Sequence, residues 1–287
     1  MSSRIEHQHP AIGPANRLRR GLRLPTHPSG QVDLAPLSAW LEPRTRLVSV
    51  MLANSETGVI QPVQEVAQKC AAAGVLFHTD AVQAIGKIPV HFGQLGASAL
   101  TLTPHKFHGP LGIGGLVLKH GITLLPRQIG GFQQAGLRPG TESVPLAVGF
   151  FTALKHYLQH AETFRQQILF LRDDLQNRLL AGEPTAVING QNSPRLPTTL
   201  NIAFPGIDRQ KLMLALDMAG VACSTGTACA SGSSEPSPVL LAMGLSNDLV
   251  ESSLRFSLSA LTTPAEIAES AAKILRCVHE IRSRNNR

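Results

Sequence analysis

LVSVMLANSETGVIQPVQEVAQKCAAAGVLFHTDAVQ, residues 47–83, decides the fold of this chain. The apolar run 47–52 reads as a buried strand. Pro62 opens a helix with apolar residues at Val63, Val66, Ala67 and Cys70, one stripe of a 3.6-residue period, and Gly74 stops it. VLFHT (75–79) is then a second strand. Further along, SALTL (98–102) is a third strand and IGGLVL (113–118), after a Gly/Pro-rich turn, a fourth. Strands alternating with helices argue for a mostly parallel α/β sheet.

A long helical pattern runs from Pro145 to about Gly182, with Leu154, Leu158, Ile168, Leu171, Leu175 and Leu179 as its apolar positions. Beyond it come TLNIAF (199–204), a helix from about Asp208 to Ala219, SLRFSL (253–258) and a closing helix from Thr263. Strands and helices now mix with longer loops, which predicts a smaller α+β domain. The boundary is placed inside the long helix, giving a large domain over 1–150 and the connecting helix with a small C-terminal domain over 151–287.

The 287 residues are 43% hydrophobic and carry a net charge of +7, enough apolar content for a sizeable core. No apolar run approaches the roughly 18 residues needed to span a bilayer. The opening MSSRIEHQHP lacks the apolar stretch of a signal peptide, so a cytoplasmic protein without membrane contact is expected. Basic clusters at Arg17, Arg19, Arg20 and Arg23 and at Arg282, Arg284 and Arg287 read as a solvated helix face and a tail. No aromatics interleave them, which argues against a nucleic-acid platform.

Four cysteines, none in CxxC spacing, are too few for a disulfide framework. Cys70 and Cys277 fall in helical patterns and read as core. Cys229 lies in STGTACASGSSEPS (224–237), a run of small polar residues that cannot build a core, so its thiol is expected to be accessible. Asp80 sits just beyond VLFHT, where ligands bind at the carboxyl ends of strands. It can cap a helix, or pair with a heterocycle nitrogen, a sugar hydroxyl or a metal. Lys106, in TPHKFHGPLGIGG (103–115), projects from the same sheet edge. A lysine in a partly desolvated pocket can form a Schiff base, and a Lys–Asp pair is how pyridoxal phosphate (PLP) is held. His78, Asp80, His105 and His108 offer HxD and HxxH spacings, but a zinc motif is missing and no metal is expected. Arg255 interrupts SLRFSL, where a charge must be paired; a bidentate clamp on a carboxylate suits it.

Six blocks together resemble the cysteine desulfurase family, fold-type I PLP enzymes of the class V aminotransferase group. They are ANSETGVIQPVQEVA (53–67), FHTDAVQAIGKIPV (77–90), TPHKFHGPLGIGG, GLRPGTESV (136–144), STGTACASGSSEPS and SSLRFSLSALTT (252–263). The long loop around Cys229 looks like the branch that serves iron–sulfur assembly. The resemblance implies a PLP-dependent removal of sulfur from L-cysteine, with Lys106 holding the cofactor and moving the substrate Cα proton. Asp80 is implied at the pyridine nitrogen, Gln83 at the ring hydroxyl oxygen, and Thr103 and His105 at the phosphate. Thr141 is implied at the phosphate held by the other subunit of a homodimer, and His7 stacked on the ring. Arg255 is implied at the substrate carboxylate, and Asn54 is implied at the substrate as well. Cys229 is implied as the thiol that takes the sulfur as a persulfide, leaving alanine and passing sulfur to an acceptor or iron–sulfur scaffold protein.

Two departures from the family pattern stand out. Where the family has two asparagines, Asn54 is followed by Ser55, which is shorter and has fewer donors at the cofactor and substrate. The family also carries roughly a hundred residues before the histidine matched by His7, including a phosphate-cradling turn at a helix N-terminus. The chain alone is therefore expected to bind PLP poorly, to turn over little, and to leave 113–118 an unpaired apolar edge. The rival readings are another class V reaction, such as selenocysteine lyase or aminotransferase, and a fragment acting as a dimerising or partner-binding module.

Overall fold

The computed structural model describes residues 2–3, 21–226 and 235–285; His7 and Cys229 lie outside them. The elements begin with β1 (Ser2–Ser3), β2 (Arg23–Leu24), α1 (Leu37–Trp40), β3 (Leu47–Ser49), α2 (Val63–Ala72) and β4 (Leu76–Asp80). They continue through α3 (Phe92–Leu95), β5 (Ala99–Leu102) and β6 (Gly115–Leu118) to the long α4 (Val144–Gly182). The remainder comprises β7 (Val187–Ile188), β8 (Thr199–Ala203), α5 (Arg209–Met218), α6 (Pro238–Ala242), α7 (Asn247–Glu251), β9 (Ser253–Ser257) and α8 (Pro264–Asn285).

The first sheet has the order β2-β1-β3-β4-β5-β6. All its pairings are parallel except β5 with β6, which is antiparallel from Ala99↔Leu118 to Leu102↔Gly115. Between β5 and β6 lies only a 3₁₀ turn, Pro104–Lys106, too little chain for the helical crossover that parallel neighbours need. The α2 stripe of Val63, Val66, Ala67 and Cys70 is buried in a core with Val48, Val50, Phe77 and Leu100. Gly74 follows the helix at φ 65°, the left-handed position a glycine takes without strain. β6 closes the sheet, and nothing among the described residues pairs with its outer edge. Leu116 is 48% exposed there.

The second sheet, β7-β8-β9, is antiparallel. Its core joins Leu200, Ile202 and Phe256 to Ile168, Leu171, Leu175 and Leu179 of α4 and to Ile274 and Val278 of α8. Thr263 and Glu266 cap α8 reciprocally: the Thr263 N–H donates to Glu266 Oε2 at 2.8 Å and the Glu266 N–H to Thr263 Oγ1 at 3.3 Å, satisfying two orphan donors. Two sequence readings need correction. Leu158 does not face the core: it points outward, and at this level of α4 the buried side chain is Tyr157, which lines a cavity. Arg282 is no solvated face either, since it donates to Pro205 O at 3.2 Å and pairs with Glu183 at 3.6 Å.

No described helix is long and apolar enough to cross a membrane.

Candidate active site

Adjacent parallel strands bring their carboxyl ends together, so residues far apart in sequence converge beyond β3, β4 and β5. They open onto a cavity of about 990 Å³. The sheet side supplies Ser55, Asp80, Gln83, Lys87, His105 and Lys106; β9 supplies Arg255, and α4 a wall of His156, Tyr157 and Phe164. Gly86 lets two of these loops close on each other. It has φ 82°, and a Cβ on it would fall 2.2 Å from Phe107 Cβ, beside Lys106.

Asp80 is the last residue of β4. Its Oδ1 accepts from the Val82 N–H at 2.8 Å, while Oδ2 bonds no described residue and is left for a ligand. One carboxylate thus serves as turn anchor and as site group. Lys106 ends the 3₁₀ turn, which the N–H groups of Phe107 and Gly109 close by donating to Pro104 O at 2.9 Å. Its ammonium makes no hydrogen bond or ion pair with a described residue. Thr103 does not line the cavity; its hydroxyl donates to Ile113 O at 3.1 Å and lies 2.8 Å from His105 Nδ1. A hydroxyl has one proton, so Nδ1 is the donor in the second contact and Thr103 orients the ring.

Arg255 reaches across from β9. Its Nη1 donates to Ser55 O at 2.9 Å, and its buried Nε has no partner among the described residues. The backbones of Arg255 and Ser224 exchange two hydrogen bonds, 2.8 and 3.0 Å. The chain leading towards Cys229 therefore leaves from a backbone pairing with Arg255. Burial favours the protonated thiol at all three described cysteines, pushing Cys70 and Cys223 up to about 11 and raising Cys277 as well.

Asn54, expected at the substrate, does not reach the cavity. It is 1% exposed, and its Oδ1 accepts from the N–H groups of Glu56 and Thr57, both at 2.9 Å, and from Thr57 Oγ1 at 3.2 Å. That oxygen is consumed in building the turn, and Nδ2 faces Met51 Sδ at 3.6 Å. Thr141 is exposed and outside the cavity. His78 is held to Ser49 Oγ by Nδ1 at 2.8 Å. Among the described residues no three His, Cys, Asp or Glu side chains are grouped to hold a metal.

The aminotransferase class-V family model matches residues 3–269. A cysteine desulfurase of Klebsiella pneumoniae is 39% identical over 99% of this chain and 72% of its own length. The chain belongs to the cysteine desulfurase family. A cysteine desulfurase of Nostoc is 44% identical over 83% of the chain, a match that spans 60% of that relative's length. The solved structure of a NifS-like protein from Rickettsia africae superposes with a TM-score of 0.82 at 29% identity, covering 90% of this chain and 69% of the other. Cysteine desulfurases depend on PLP, and the donor set of the cavity fits it. An unpaired lysine, an unpaired carboxylate oxygen and an amide with free N–H groups share one space.

Sequence reasoning gave no role to two buried residues, Lys87 on the cavity wall and Glu56 close enough to Arg255 to feel its charge. Lys87 Nζ donates to Gln83 Oε1 at 2.6 Å; burial, then the charges of Lys106 and Arg255, bring its ammonium down to about 8. Glu56 is 1% exposed, and its Oε2 has no hydrogen-bond partner among the described residues. Burial pushes its carboxyl up to about 6, against the opposing hydrogen bond from Ser237 and the charges of Arg255 and Arg209. A carboxyl raised on folding binds its proton more tightly in the native state. It is neutral at no cost below about pH 4.5 and destabilises the fold increasingly as pH rises to about 6. Glu56→Gln is thus expected to stabilise the protein by about 2 kcal/mol at pH 7.5 and by nothing at pH 4. Urea denaturation at the two pH values checks this, and equal shifts at both would contradict it.

Proposed function

We propose that this chain carries a PLP-dependent cysteine desulfurase site, converting L-cysteine to L-alanine and a persulfide on Cys229. The observation that carries it is the convergence in one cavity of unpaired Lys106, the free oxygen of Asp80 and Arg255, with the root of the Cys229 segment beside Arg255. PLP, when bound, supplies a carbonyl that links to amines and a protonated ring that withdraws electrons. Lys106 Nζ holds the cofactor and later carries the substrate Cα proton. Asp80 Oδ2 would accept from the ring nitrogen and keep it protonated, and Gln83 would donate to the ring oxygen. His105, set by Thr103, and Ser55 would contact the remainder of the cofactor, and Thr141, on the outer surface, would reach the phosphate held by a second copy. His7, outside the described residues, would stack on the ring and assist proton movement.

Arg255 binds the substrate carboxylate through the guanidinium edge that Ser55 O leaves free. Cys229 attacks the substrate sulfur: an S–S bond forms, the Cβ–S bond breaks, and protonation of the remaining carbon skeleton yields alanine. The high thiol positions of Cys70, Cys223 and Cys277 support Cys229 in this role. The division into a large domain over 1–150 and a small one over 151–287 is supported by a second core drawn from residues 168 onward. Leu196, Val239, Leu240, Met243 and Val250 nevertheless pack into the first core, and Arg255 bonds Ser55 O across the two. The acceptor is a sulfur-carrier or iron–sulfur scaffold protein in the cytoplasm.

A second reading, a dimerising or partner-binding module, is favoured by one observation. Val144, Val148, Phe151 and Leu158 of α4 are all more than half exposed, an apolar stripe of the kind that marks interfaces. One assay separates the two readings. At saturating PLP, with L-cysteine and a thiol to release the persulfide, the desulfurase reading expects alanine and sulfide in equal amounts. A stable dimer or complex making neither supports the second.

A further inference from the structure

We propose that Lys87 is a positioning residue for Gln83, locking its amide so that only N–H donors face the cavity. An ammonium has donors and no acceptor. The Gln83 atom 2.6 Å from Lys87 Nζ is therefore Oε1 whichever way the amide is drawn. With Oε1 taken, Nε2 is left bonded to no described residue, and both side chains line the cavity. Packing alone does not account for Lys87. It is a largely buried cation in a cavity that already holds Lys106, from the turn after β5, and Arg255, from β9, both of which oppose its charge. Asp80, at the end of β4, is the carboxylate lining that space. Without Lys87 the amide can turn over and present its oxygen, which repels an oxyanion. The lock selects a ligand atom that accepts hydrogen bonds, a phenolic or anionic oxygen, at this point of the site.

This inference rests on the PLP reading, in which the ring oxygen is that acceptor. The test is a spectrophotometric pH titration of the lysine–cofactor bond in PLP-loaded protein, for wild type, Lys87→Met, Lys87→Arg, Gln83→Leu and the Gln83→Leu/Lys87→Met double variant. Losing the donor to the ring oxygen, together with a nearby cation, favours the protonated bond. Lys87→Met is therefore expected to raise the midpoint by about one pH unit, and Lys87→Arg to keep it near wild type. In the Gln83→Leu background the Lys87→Met shift is expected to shrink to less than half, because the amide-borne part is gone. An unshifted Lys87→Met, or a full shift persisting in the Gln83→Leu background, overturns the positioning role while leaving the PLP reading intact. A wild-type chain that forms no bond with PLP overturns both.

Discussion

Cys229→Ser is expected to keep PLP binding and its absorbance band while abolishing alanine and persulfide formation, a loss of about a thousandfold or more. Sulfur transfer needs a thiolate that attacks the substrate sulfur and holds it as a persulfide, and a serine hydroxyl is too weak a nucleophile to replace it. The alternatives are poor. Cys70 and Cys277 are packed in the two cores, and Cys223, the thiol nearest in sequence, is held at about 11 by burial with Asp217 adding to it. The described residues on either side of the segment carrying Cys229 are tied down. Ser224 is bonded to the Arg255 backbone, and on the far side Glu235 O accepts from Arg209 at 3.0 Å. Sustained alanine release by the Cys229→Ser protein would sink the assignment.

Lys106→Ala is expected to lose both the covalent link to PLP and the base for the Cα proton, leaving turnover at background. Lys106 is the lysine that a strand end and a closed turn carry into the cavity, and no described group competes for its ammonium. Stability should change little, because Lys106 makes no hydrogen bond or ion pair with a described residue that the substitution would break. Dialysis followed by absorbance separates the losses: wild type keeps the PLP band and Lys106→Ala does not. A Lys106→Ala protein that retains the band through dialysis would show another amine holding the cofactor.

Much of this arrangement was legible in the sequence because it follows from periodicity and punctuation. The stripe of Val63, Val66, Ala67 and Cys70 set α2, and strands on either side set the parallel sheet whose carboxyl edge brings Asp80 and Lys106 into one cavity. What stayed hidden depends on side-chain partners that no period reveals. Lys87 in AVQAIGK looks like an ordinary polar residue of a turn. The available signal was its place four residues after Gln83, flanked by Ala84, Ile85 and Ile88. Glu56 stands among small polar residues that give no sign of burial, yet the turn built on Asn54 folds it inward. The same turn removes Asn54 from the cavity, since a side-chain oxygen accepting three local hydrogen bonds has none left for a substrate. The α4 stripe was misread by one residue at Leu158, because Tyr157 buries its ring towards the cavity wall.

The most direct measurement is borohydride reduction of the wild-type chain at saturating PLP, followed by peptide mapping of the modified lysine. Lys87 makes the test sharp: it lines the same cavity, and its amine is the one burial has brought down to about 8. The account predicts a single label on Lys106. A label on Lys87 or Lys119, or no label at all, would contradict it.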